Sequence, residues 1–164
     1  MTAKEYTQSA PLWADDAMRL AVRTGGSHDD AEDAVQEALV ALWQHRHEVE
    51  ASRGKGYLLG ATYRQMMMIF RRRQQDRNYY ESVRPDNMHG PDEGFDTREA
   101  INQALQQLTQ QQRAILELRD VQGYAYREIA ELLEMSENQV QVYLFRARVA
   151  MRKQLIKLGY GINQ

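Results

Sequence analysis

The chain has no cysteine, which excludes disulfide frameworks, thiolate zinc fingers, iron–sulfur clusters and thiol nucleophiles together. Long apolar runs are also missing. Nothing approaches the roughly 20 consecutive apolar residues of a membrane-spanning helix, and the opening Met1-Thr2-Ala3-Lys4-Glu5-Tyr6 lacks the apolar core of a signal peptide. A cytoplasmic protein without membrane insertion is expected. Alternating Val/Ile/Thr runs are absent, so a sheet has no source. The sequence contains no HExxH pattern, Gly-rich phosphate loop or nucleophile elbow, and His28, His45, His47 and His89 fall at no ligand spacing. We therefore expect no enzyme, no metal and no cofactor. A length of 164 residues leaves room for one or two small domains.

Helical periodicity fills the chain and predicts an all-α protein. Asp16 to Thr24 suits most of a first helix, ended by Gly25-Gly26. Ser27 with Asp29, Asp30 and Glu32 then supplies an N-cap and an acidic first turn for a second, whose stripe is Val35, Leu39, Leu42 and Trp43. Its opposite face carries Asp33, Gln36, Glu37 and Val40. Val49 to Gly56 reads as a loop, and a third helix runs from Tyr57 through Phe70 into Arg71-Arg72-Arg73. Two of the three prolines lie among polar residues and glycine at 81–96, which reads as a flexible linker between domains 1–80 and 97–164. Beyond it, Asp96 or Thr97 caps one helix, Thr109 and Gln112 have capping-box spacing for the next, and Gly123 ends that. Tyr126–Leu133 and Glu137–Lys157, joined by Glu134-Met135-Ser136, have helix-turn-helix proportions.

The net charge of -2 conceals opposed blocks. Residues 1–50 carry 4 Lys/Arg against 10 Asp/Glu, and 51–80 carry 7 against 1. The pattern then repeats, with 5 against 11 over 81–134 and 5 against 1 over 135–164. Two basic segments suit two contacts with an anionic partner, although solvated helix faces also differ in charge by chance. In the first, Arg53, Lys55, Arg64, Arg71, Arg72 and Arg73 are interleaved with Tyr57 and other aromatics, the composition that binds an opened nucleic-acid strand. In the second, Asn138, Gln139, Gln141, Tyr143 and Arg146 project from the start of the last helix, where a helix-turn-helix reads the major groove. A plain helical hairpin that binds only protein has the same proportions.

With these residues in place, the chain resembles the extracytoplasmic-function group of bacterial sigma factors over nearly its whole length. Asp30-Ala31-Glu32-Asp33-Ala34-Val35-Gln36-Glu37 with Leu39 and Leu42-Trp43 is similar to the region-two helix that docks on core RNA polymerase. Gly56-Tyr57-Leu58-Leu59 through Arg71-Arg72-Arg73 resembles the part that opens the promoter and holds the minus-ten strand. Leu108 to Arg113, Gly123 to Ala130, Val140 and Arg146-Ala147-Arg148 resemble region four, which reads the minus-thirty-five duplex. The resemblance implies a non-enzymatic sigma factor whose partners are core RNA polymerase and promoter DNA, with an anti-sigma factor as a further candidate. Departures are specific: Arg64 and Met68 stand where the family usually has Asn and Asp, Gln141 and Tyr143 where Lys and Arg are common, and Thr109 where Pro is usual. The rival readings are a sigma-like decoy that binds an anti-sigma protein, a dimeric helix-turn-helix regulator, and, most distantly, a ribonuclease built around Arg46 and His47.

Overall fold

The computed structural model describes residues 1–79 and 97–160, with side chains of the first segment described to 76. The segment read as a linker, with Asp96 as a candidate cap, lies outside the described residues. Seven α-helices and no strand are found among those described: α1 (Ala3–Thr24), α2 (His28–His45), α3 (Gly54–Tyr79), α4 (Thr97–Gln106), α5 (Gln110–Leu116), α6 (Tyr126–Leu133) and α7 (Glu137–Lys157).

Helix starts are written in reciprocal capping boxes, which satisfy otherwise orphaned backbone donors. Ser27 and Asp30 start α2, Thr109 and Gln112 start α5, and Ser136 and Gln139 start α7. The first helix is far longer than the expected Asp16–Thr24. Thr2 and Glu5 form a fourth box at its start. The terminal ammonium of Met1 donates to the Arg46 and Val49 carbonyls, 2.7 Å each, just past the end of α2, where its charge also suits the helix dipole. Pro11 removes one backbone donor inside α1, but the packing of Tyr6, Ala10, Trp13 and Ala17 carries the helix through it.

The expected loop Val49–Gly56 is also shorter than read. A 3₁₀ turn at Ala51–Arg53 leads straight into α3 at Gly54. The glycine serves packing and not helix breaking: a Cβ at Gly54 would lie 2.6 Å from both Met1 Cε and the Trp13 ring. Along α2, Ala31, Ala34, Val35, Ala38 and Leu42 are buried and Leu39 is half-buried, whereas Trp43 is 39% exposed, a correction to the expected stripe. At 100° per residue, position 43 leaves the face that holds 35 and 42 and joins the face of 36 and 40.

The C-terminal half begins with α4, whose last carbonyls are capped by a side chain from the next helix. Arg113 donates from Nε to the Leu105 carbonyl (2.6 Å) and from a terminal nitrogen to that of Gln106 (3.0 Å). After α5 the backbone widens into a π-helical segment at Glu117–Val121. There Arg119 donates to the Tyr124 carbonyl (2.9 Å) and lies over the Tyr126 ring, 4.5 Å from its centre. Between α6 and α7, Glu134 takes the left-handed conformation (φ 54°) and the Met135 amide returns to the Ala130 carbonyl at 3.0 Å. That is the tight turn of a helix-turn-helix.

The two halves share one core. Ala17 and Leu20 of α1, Val35 and Leu42 of α2 and Leu58 and Leu59 of α3 join Ile115, Leu118, Ile129, Leu133, Val140 and Leu144 in a single buried cluster. Polar contacts cross the seam as well. Arg23 faces the buried Glu117 carboxylate at 3.6 Å, and the Gln122 amide donates to the Asp16 carbonyl at 3.2 Å. The sequence reads the halves as separable domains, and in this structure they stand together.

Candidate nucleic-acid and polymerase interfaces

The acidic face of α2 is geometrically clean. Asp33, Gln36, Glu37 and Val40 are all exposed, opposite the buried alanines. Trp43 extends the face by one turn, a residue the sequence reading had assigned to the core. Its ring is held by Tyr6 edge-on (centres 5.1 Å apart) and by the Arg46 guanidinium 3.7 Å above it, while the Tyr6 hydroxyl donates to the Leu39 carbonyl at 2.9 Å. A fixed, half-covered aromatic beside carboxylates is the composition of a protein-binding anchor with a polar rim. At the other end of the helix, His28, Asp29 and Glu32 bring their ligating atoms within 4.8 Å of one another, all exposed. Their carboxylates complement the helix dipole.

Asp30 belongs to the frame. Burial raises its pKa, but hydrogen bonds from Arg73 and Ser27 outweigh that effect and hold the carboxyl below its ordinary value. Arg73 is therefore engaged in joining α3 to α2 (2.5 Å to Asp30), while Arg71 and Arg72 are exposed on the same stretch of α3. The arginine run divides into one cation that joins two helices and two exposed ones.

The rest of the first basic segment lines a cleft of about 730 Å³ between the start of α3 and α6. Arg53, Lys55, Tyr57 and Arg64 all border it. Lys55 donates to Asp16 at 2.7 Å and lies 5.8 Å from the centre of the Tyr124 ring; the bond to Asp16 holds its ammonium above the ordinary pKa. Arg64 reaches Glu134 at 3.4 Å. Tyr63, among the aromatics of this segment, is only 6% exposed and is a core residue; burial pushes its hydroxyl pKa up.

On α7, Asn138, Gln139, Gln141 and Arg146 are exposed as expected. Gln139 is committed to the capping box through its carbonyl oxygen, 3.0 Å from the Ser136 amide. Tyr143 is half-buried against the shared core. The outward face is Asn138, Gln141, Val142, Phe145 and Arg146, spaced i, i+3, i+4, i+7, i+8. Phe145, 70% exposed, was missed, although this same spacing marks it. Arg148, beyond that face, is paired with Asp120 at 2.5 Å.

Comparisons with known proteins agree with this layout. The family model described as Sigma-70 region 2 matches residues 12–76, and that described as Sigma-70, region 4 matches residues 98–151. The chain is similar to the ECF RNA polymerase sigma factor SigL of Mycobacterium tuberculosis, 32% identical over 166 residues, which span 97% of this chain and 90% of the relative. It is also similar to the ECF RNA polymerase sigma factor SigX of Bacillus subtilis, 30% identical over 139 residues, covering 77% and 71%. Among solved structures, the sigma factor RpoE from Bartonella quintana, in complex with the anti-sigma factor NepR, shares the fold with a TM-score of 0.78. That match has 22% identity and covers 93% of this chain and 98% of the other. The chain belongs to the ECF group of RNA polymerase sigma factors.

Proposed function

We propose that the chain directs core RNA polymerase to a promoter subset through three separate faces. Asp33, Gln36, Glu37, Val40 and Trp43 on α2 dock on the polymerase. Arg53, Lys55, Tyr57, Arg64, Arg71 and Arg72 hold the opened strand near the minus-ten element. Asn138, Gln141, Val142, Phe145 and Arg146 read the upstream duplex. Segments 1–80 and 97–164 act as the two functional units, and the protein works in the cytoplasm without catalysis of its own.

The observation that carries this reading is the segregation of charge on a single frame. Carboxylates and an anchored tryptophan occupy one helix face, cations and aromatics another, and amide side chains the reading face of a capped helix-turn-helix. Phosphate contacts set affinity and amide or guanidinium contacts to base edges set specificity, so the two basic segments divide those tasks. Run-off transcription with purified core polymerase on genomic promoter fragments tests the proposal. Discrete transcripts that appear only with this chain are expected; none on any fragment would favour the decoy reading.

We also propose an anti-sigma factor as a second partner, since the similar RpoE was solved in complex with one. Co-purification of a small helical protein that blocks the run-off reaction tests it.

A further inference from the structure

A second cleft has no part in the three faces assigned above. It encloses about 640 Å³ where the end of α1 and the start of α2 meet α4 and α5. Met18, Arg19, Val22 and Arg23 form its α1 wall. These positions fall in two parallel i, i+4 rows, one apolar and one cationic. Asn102, Leu105 and Gln106 share one face of α4 and line the cleft with Arg113 of α5.

Among the described residues that line this cleft there is no Asp or Glu. Its place in the chain makes that informative: residues 1–50 carry 4 Lys/Arg against 10 Asp/Glu, and two of those four cations meet here. Outside the cleft, Asp16 lies 3.9 Å from Arg19 and Glu117 lies 3.6 Å from Arg23. Both distances are longer than a charge-assisted hydrogen bond. Arg113 has no such carboxylate among the described residues; it donates to the Leu105 and Gln106 carbonyls, and burial lowers its pKa. Gly25 makes room for it. This residue ends α1 at φ 118°, and a Cβ there would collide with the Arg113 guanidinium. The dipole of α1 accounts for Arg23 in its last turn. It does not account for Arg113, which arrives from another helix, or for Val22, left 47% exposed between the arginines.

Three guanidinium groups with no carboxylate in their cleft suit phosphates, which they engage in bidentate pairs. A lone phosphate would fill little of the space, and clefts of about 300–1,000 Å³ are those of small-molecule and cofactor sites. The apolar row of α1 and Leu105 offer surfaces for a flat ring, and carboxamides bond base edges with both amide atoms. We propose that this cleft binds a nucleoside polyphosphate, its phosphates on Arg19, Arg23 and Arg113 and its base between the Met18–Val22 row and Leu105, with Asn102 and Gln106 on the base edge. Both halves of the chain supply the site, so the ligand also stabilises their packing.

Isothermal titration calorimetry of the full-length chain with ATP tests the proposal, at low salt and with EDTA to keep divalent cations away. Saturable one-to-one binding complete below about 1 mM is expected, with a thermal midpoint that rises as ATP is added. No saturable binding overturns the proposal. Inorganic triphosphate should bind at least about tenfold more weakly than ATP, because it forgoes the base contacts. Equal affinity for the two overturns the nucleoside assignment and leaves a site for phosphate alone. Arg19→Gln and Val22→Glu alter exposed positions, so the circular-dichroism spectrum should not change. Each should weaken ATP binding by about tenfold, the first by removing a phosphate partner and the second by placing a carboxylate among the arginines. If both variants bind ATP as the natural chain does, or if affinity falls instead in Arg71→Gln with Arg72→Gln, the nucleotide sits elsewhere and the assignment of this cleft is overturned.

Discussion

Asp30 shows how one side chain can serve the fold inside a motif read for binding. It caps its own helix start with Ser27 and receives Arg73 from α3, and its side chain is 13% exposed. Its carboxyl is held below the ordinary value of 3.8. A depressed carboxyl contributes stability that is present above the unfolded value and lost as pH falls through the lower folded value. Asp30→Asn should therefore cost about 1–3 kcal/mol near neutral pH, the range for a buried charge-assisted bond. That deficit should close on acidification below 3.8, as urea unfolding at several pH values would show. On the reading helix, Gln141→Ala should relax preference at one upstream base pair by about 1–3 kcal/mol if both amide atoms bond a base edge. Tyr143→Ala should instead lower stability and leave base preference intact, since that ring packs on the core. Transcription by the holoenzyme on a set of upstream-element variants, with thermal melts of each protein, separates the two outcomes. Gln141 was legible because it is polar at an outward position. Tyr143 is less legible, because its residue type suits stacking on bases while its helix phase half-buries the ring against the core.

At the scale of elements, the capping boxes at Thr109 and Ser136 were readable because both partners lie three residues apart in sequence. The start of α1 was not. Its box at Thr2 lay beyond Pro11, and its anchoring depends on Met1 reaching carbonyls more than forty residues away. The π-helical turn at Glu117–Val121 was equally hidden, since Arg119 and the Tyr126 ring meet only through the tertiary path. The face of α2 needed no tertiary knowledge beyond its phase, which is why Asp33, Gln36, Glu37 and Val40 were placed correctly on it and Trp43 was recoverable. If this face docks on polymerase, Asp33→Lys with Glu37→Lys should weaken core binding by about 1–3 kcal/mol, as two exposed attractions become repulsions. Both positions are exposed, so the circular-dichroism spectrum should not change. Unaltered retention on immobilised core polymerase at low salt would remove α2 from the interface. Trp43→Ala should also weaken binding, with less dependence on salt, because the ring contributes area and not charge.

For the whole molecule, the shared core was the least legible feature. Each half carries a plausible stripe of its own, and nothing in the sequence states that Ile115 and Leu118 meet Ala17 and Leu20 across the linker. Helices that pack across a domain boundary look in sequence like helices that pack within one. The consequence is thermodynamic coupling, and the chain carries a built-in reporter of it. Both tryptophans, Trp13 and Trp43, lie in the N-terminal half, so their fluorescence follows that half alone. Ile115 lies in the C-terminal half, is fully buried and belongs to the joint cluster. Ile115→Ala should destabilise by about 2–5 kcal/mol, the cost of a large-to-small change in a core. If the halves unfold together, that loss moves the tryptophan-detected midpoint and the far-ultraviolet midpoint to the same lower urea concentration. If they are independent, the tryptophan midpoint stays where it is in the natural chain and the circular-dichroism curve splits in two. Coincident curves would show that separating the halves carries a free-energy cost, which binding to polymerase and promoter must then supply.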